Sequence, residues 1–120
     1  MDLDNAISKH AQWKIRLRSA IYKQEDLHAE NIAKDTLCDL GKWLHSDAKD
    51  KYGNLSSYFT CLATHAMFHT EAAKVAEVIN AKRFSDAEKM LEADKPYSLA
   101  SSAVCAAILA LKEEAALIAA

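Results

Sequence analysis

Glycine and proline are scarce in this chain, with two of the first and one of the second among 120 residues. So few turn formers leave a hairpin-rich β fold little to turn on, and the abundance of alanine, leucine and lysine points to helices. No apolar run approaches the roughly 20 residues that span a bilayer. The most apolar stretch, 103–111, closes on Lys112-Glu113-Glu114. Nor is a secretion signal expected from Met1-Asp2-Leu3-Asp4, which is acidic where such a signal has a basic and then apolar run. No basic cluster is present and the net charge is −2, which excludes a nucleic-acid partner from the expectations. Three cysteines cannot all pair within one chain, so they read as thiols or ligands in a reducing cytoplasm. The length suits one domain over residues 1–120.

What the chain does have is apolar periodicity. A first helix is predicted over 3–23, with an inner stripe of Leu3, Ile7, His10, Trp13, Leu17, Ala20 and Ile21. The segment 24–34 reads as a weakly helical, solvated face. Its Glu25-Asp26-Leu27-His28 has the Glu-x-x-His spacing of di-iron bundles but not the further inward glutamates they need. A short second helix is predicted over 37–45, capped by Asp35 or Thr36, with 46–54 as the clearest loop. The third helix, 55–81, repeats apolar residues on a seven-residue beat through Leu55, Tyr58, Leu62, His65, His69, Ala72, Ala76 and Ile79. A shorter helix follows from the capping-box spacing Ser85-x-x-Glu88. The last helix, 97–120, has the seam Tyr97, Ala100, Val104, Ile108, Leu111, Ala115 and Ile118. Together these predict an all-α four-helix bundle with one short helix laid across it. The third helix is also apolar beyond its seam, at Phe59, Ala63, Ala66, Met67, Phe68 and Ala73. That surplus predicts a second packing surface and a two-fold homodimer.

The chemistry sits in the seam. His65 and His69 are four residues apart, so both rings leave one face of the third helix in positions reserved for the core. A lone core histidine such as His10 is ordinarily a hydrogen-bonded packing residue, whereas two stacked imidazoles call for a shared partner. A metal ion supplies one. Cys38 falls in the first turn of the second helix, where the helix dipole favours a thiolate. Gly41, three residues on, costs about 1 kcal/mol against alanine mid-helix, and the close approach of a neighbour on the Cys38 face would explain it. Three imidazoles and one thiolate (His10, Cys38, His65 and His69) make a tetrahedral set suited to zinc rather than magnesium or calcium. Cys61 is a rival sulfur, but eight residues separate it from His69, roughly 12 Å along a helix. It fits with His65 and not with both histidines. Cys105 reads as packing, and His45 as a surface residue or C-terminal cap.

Three blocks in order, His10-Ala11-Gln12-Trp13, Cys38-Asp39-Leu40-Gly41-Lys42-Trp43 and His65-Ala66-Met67-Phe68-His69, resemble the chemoreceptor zinc-binding (CZB) domain family over about 7–75. The resemblance implies a cytoplasmic bacterial helical domain, a homodimer, whose zinc ligands are His10, Cys38, His65 and His69. It further implies control of an output module, either a chemoreceptor signalling domain or a diguanylate cyclase. The signal implied is zinc itself or oxidants such as hypochlorous acid acting through Cys38. Neither module lies within these 120 residues, so control would be exerted in trans, or in cis as the N-terminal domain of a longer protein. Two other readings are a purely structural zinc bundle and a zinc hydrolase. The hydrolase needs an open coordination position and an adjacent general base, and no His-Glu-x-x-His arrangement is present.

Overall fold

In the computed structural model, which describes residues 1–119 (backbone only for the last), all regular secondary structure is helical. The segments are α1 (Leu3–Ala11), α2 (Trp13–Lys23), α3 (Ala29–Ile32), α4 (Asp39–Leu44), α5 (Asp47–Tyr52), α6 (Ser56–Asn80), α7 (Phe84–Met90) and α8 (Pro96–Ala119). The molecule is elongated, 49 × 24 × 19 Å, because α6 and α8 are both about seven turns long. α6 lies at the centre, in contact with α2, α3, α4, α5, α7 and α8. α1 and α2 run antiparallel to α8: Asp4 meets Lys112 at 2.7 Å, and Lys14 reaches Ser98 at 2.8 Å.

The single first helix of the sequence reading is two segments that meet at Gln12. The backbone there stays right-handed, and the i to i−4 bonds from Gln12 and Arg16 persist, so the change is a bend rather than a break. It lets the two halves bury their stripe against different partners, α1 on α8 and α2 on α6 and α7. The predicted stripe faces inward along its whole length: His10, Leu17, Ala20 and Ile21 are buried, and Leu3, Ile7 and Trp13 are half-buried.

Other boundaries move for identifiable reasons. The predicted loop 46–54 contains α5. Asp47 and Asp50 stand in its first turn and Lys49 and Lys51 in its last, matching the helix dipole, and fully buried Ala48 anchors it. α7 starts before Ser85, so Ser85 and Glu88 lie within the helix and the expected capping box does not form. The segment 24–34 is not only a solvated face, since Asn80 pins Leu27 by two 2.7 Å bonds to its N–H and carbonyl, and α3 packs on α6. His28 is exposed as expected. In α8 the seam is buried through Leu111, but Ile118 is exposed, because α8 overhangs the start of α1 beyond the Asp4–Lys112 contact. Residue 120 lies outside the described residues.

Scarce glycine shows at the helix ends. Both α2 and α6 end with a 6→1 bond, Glu25 N–H to the Ala20 carbonyl and Arg83 N–H to the Val78 carbonyl. The left-handed residues at these ends are Gln24 (φ 55°) and Lys82 (φ 62°), where glycine is the usual choice. A side chain in that region costs about 1 kcal/mol. Lys82→Gly should therefore raise stability by about 0.5 kcal/mol or more in urea unfolding. A destabilised variant would contradict the left-handed assignment.

Candidate metal centre

The centre forms at the middle of α6, where α1 and the loop before α4 meet it. That helix presents His65 and His69 one turn apart, both buried. α1 brings buried His10 at its C-terminal end, with its ring 5.1 Å from that of His65 and 5.8 Å from that of His69. Phe68, fully buried, closes the His10 side at 5.3 Å between rings. Cys38 arrives on the loop before α4. It is not within the helix, as the sequence reading placed it, and neither Asp35 nor Thr36 caps α4. Cys38 is itself the N-cap: its sulfur accepts the Gly41 N–H at 3.4 Å. α4 is held to α6 by the buried Tyr58 hydroxyl, which donates to the Leu44 carbonyl at 2.7 Å.

Gly41 is a close-approach position. A Cβ there would run into the Asp35 carbonyl and come within 3.2 Å of the His65 ring. The missing side chain is what lets the Cys38 loop fold down onto His65. The close approach expected from sequence is real, and the partners are a backbone carbonyl and an imidazole.

One donor atom from each of His10, Cys38, His65 and His69 lies within 4.8 Å of the other three. His65 Nε2 is 3.2 Å from Cys38 Sγ and 3.1 Å from His69 Nε2, and His69 Nε2 is 3.6 Å from Cys38 Sγ. A tetrahedral zinc ion would hold two nitrogens about 3.3 Å apart and a nitrogen and sulfur about 3.6 Å apart. Tautomers point the same way. His10 Nδ1 donates to the Ala6 carbonyl at 2.7 Å, and His69 Nδ1 to the Ile32 carbonyl at 2.8 Å. Each of these bonds leaves Nε2 as a bare lone pair facing the cluster, the arrangement that metal-binding histidines adopt. His10 Nε2 is buried without any hydrogen-bond partner. A cation at the centre would satisfy it, so the residues fit zinc.

Electrostatics keep the imidazoles ready for a metal. Burial first, then the neighbouring His69 and His10, push His65 down to about 3. Burial likewise lowers His10 and His69, against the carbonyl bonds that raise them. Neutral rings are the ligating form. For Cys38 the expected helix-end bias towards thiolate loses. Burial raises its pKa more than the Gly41 and Leu40 N–H groups lower it, and Asp35 and Asp39 raise it further.

The structure brings together all four residues that the sequence singled out, and it separates the rest. Cys61 is fully buried in the apolar core. Cys105 is half-buried, with its thiol 3.9 Å from the Ile7 carbonyl, between α8 and α1. His45 is the exposed C-cap of α4. The reading from sequence missed the carbonyls of Ala6 and Ile32, which orient two of the rings. It also missed Asp35, whose carboxylate lies 3.9 Å from His65 Nδ1. A backbone acceptor has no residue signature, and an acid three positions before the cysteine is a signal only once Cys38 is known to be a cap.

The family model of the chemoreceptor zinc-binding domain matches residues 10–76. That stretch is more than half of the chain, beginning on His10 and running past His69. No curated protein and no solved structure matches.

Proposed function

Because the chain belongs to the chemoreceptor zinc-binding domain family, we propose that it is a regulatory domain in which His10, Cys38, His65 and His69 hold its zinc ion and Cys38 answers to oxidants. The observation that carries this reading is the convergence of the four donor atoms within 4.8 Å, with two of the rings locked by their Nδ1 bonds. Zinc bound there would supply charge neutralisation and a tether between α1, the Cys38 loop and α6. Four protein donors fill a tetrahedral site and leave no open position, which favours regulation over hydrolysis. The frame is a four-helix bundle of α1–α2, α4, α6 and α8 with α7 across it. Three free thiols suit a reducing cytoplasm.

Cys38 is the only one of the four donors that is readily oxidised. It lines a cleft of about 630 Å³ between α1 and the start of α4, whose walls include Ala6, His10, Trp13 and Leu40. A small oxidant can reach its sulfur by that route. With hypochlorous acid, the balanced step is thiolate plus HOCl giving sulfenic acid plus chloride: an S–O bond is gained, the O–Cl bond is lost, and the sulfur gives up two electrons. A sulfenic acid is a poorer zinc ligand than a thiolate. α4 is six residues long and begins on this sulfur, so losing the ligand frees a segment with little helical stability of its own. Cys61 is shielded, and burial pushes its thiol up to about 11. One equivalent of hypochlorous acid on the zinc-loaded protein should therefore modify Cys38 first by peptide mass mapping. Faster hydrogen exchange across 37–45 should accompany it, and a reductant should reverse it. First modification at Cys61 or Cys105, or unchanged exchange, would rule out the switch.

Transmission needs a partner surface. Of the surplus apolar residues on α6, Phe68 and Ala73 belong to this chain's own core, while Phe59, Ala63 and Met67 stay exposed at i, i+4 and i+8. A second copy packed on that stripe makes a two-fold homodimer, through which movement of α4 would reach a chemoreceptor signalling domain or a diguanylate cyclase, in cis or in trans. Sedimentation at tens of micromolar should show a dimer, and Met67→Glu should dissociate it. A monomeric wild-type chain would contradict this interface.

A further inference from the structure

Three histidines face the centre, and two of them have their far nitrogen settled: His10 Nδ1 on the Ala6 carbonyl and His69 Nδ1 on the Ile32 carbonyl. His65 is the exception. It is the most deeply buried of the three, and its Nδ1 has no hydrogen-bond partner. With Nε2 turned to Cys38 and His69, the neutral ring must carry its proton on Nδ1 if Nε2 is to ligate. A buried ring N–H left unpaired is costly, so an acceptor is required there.

The acceptor at hand is Asp35, whose Oδ2 lies 3.9 Å from His65 Nδ1. That distance is too long for a hydrogen bond, and the reason is visible. The same oxygen is turned towards exposed His45, 3.4 Å from its Nε2. This competing contact is long and solvent-exposed, worth little as an ion pair. The Asp35 side chain is 24% exposed, and its loop is already fixed by the backbone. The Asp35 carbonyl packs on Gly41 and accepts from the Cys38 thiol at 3.7 Å. A change of side-chain rotamer therefore moves the carboxylate without moving Cys38.

Resting on the ligand set above, we propose that Asp35 is the positioning carboxylate of the zinc centre. It accepts the Nδ1 proton of His65, fixes that ring's tautomer and raises the basicity of Nε2. Asp35 then serves the centre twice, holding the His65 ring through its carboxylate and packing its carbonyl against Gly41 beside Cys38. His45 marks the outward rotamer, in which the carboxylate leaves the site.

The test compares zinc affinity, by chelator competition, for wild type, Asp35→Ala, Asp35→Asn and His65→Ala. Nitrogen-15 spectra of the zinc-loaded proteins report the His65 ring N–H. Removing such an outer carboxylate lowers metal affinity tenfold to a hundredfold. Asp35→Ala should show that loss, and its His65 ring N–H should exchange with water and vanish. Asp35→Asn keeps an acceptor oxygen, so it should retain the ring N–H signal and lose less affinity. Both variants keep the Asp35 carbonyl, so its packing against Gly41 survives. Wild-type affinity in Asp35→Ala, with affinity lost in His65→Ala, would overturn the role of Asp35 while leaving the ligand set standing. A ring N–H signal unchanged in Asp35→Ala would overturn it as well. Wild-type affinity in His65→Ala would instead overturn the ligand set.

Discussion

Replacing His65 or His69 by alanine should lower zinc affinity by at least about a hundredfold. Structural zinc sites bind with about 10–16 kcal/mol overall, roughly 3 kcal/mol for each of four ligands, and 1.4 kcal/mol is a factor of ten. Neither loss can be covered by a neighbour. Cys61 is enclosed in the core, and exposed His45 points at Asp35 rather than at the centre. Cys61→Ser should leave zinc affinity within about twofold, although burying a hydroxyl in that apolar position should cost about 1–3 kcal/mol of stability. Competition with a chromophoric chelator reads the affinities directly. Loss of binding in Cys61→Ser, together with normal binding in Cys38→Ser, would reverse the ligand assignment.

Gly41→Ala should be damaging, although helix propensity alone predicts the opposite. Alanine in place of a helical glycine is worth about 1 kcal/mol in favour of the helix. Here the added methyl meets the Asp35 carbonyl, a backbone atom that cannot turn aside as a side chain would, and the His65 ring lies behind it. Overpacking of this kind costs about 1–3 kcal/mol, more when backbone must move. The clash should win, for a net loss of about 2 kcal/mol in urea unfolding. Zinc affinity should fall with it, because the Cys38 loop and Asp35 are displaced together. A stabilised variant with normal zinc binding would show that the loop does not approach α6 as described.

Particular residues show how much of this was legible beforehand. The seven-residue beat of α6 marked His65 and His69 as inward, and both are buried. The stripe through His10 and the small Gly41 beside Cys38 were equally readable, because helical periodicity reports which face meets the core. Boundaries were less so. The bend at Gln12 follows from which helices α1 and α2 each pack against, a tertiary fact with no local signal. α5 hid behind a run of charged residues that looks like loop until Ala48 is known to be buried. The capping role of Cys38 overrode Asp35 and Thr36, both better N-caps by preference. The carbonyls of Ala6 and Ile32 could not be read at all, since any residue offers one.

X-ray absorption at the zinc edge of the purified protein reads the donor shell of the centre without any substitution. One zinc per chain is expected, with a shell of three nitrogens at about 2.0–2.1 Å and one sulfur at about 2.3 Å, the sulfur lost in Cys38→Ser and retained in Cys61→Ser. A shell without sulfur, with two sulfurs, or with a sulfur that survives Cys38→Ser would contradict the ligand assignment.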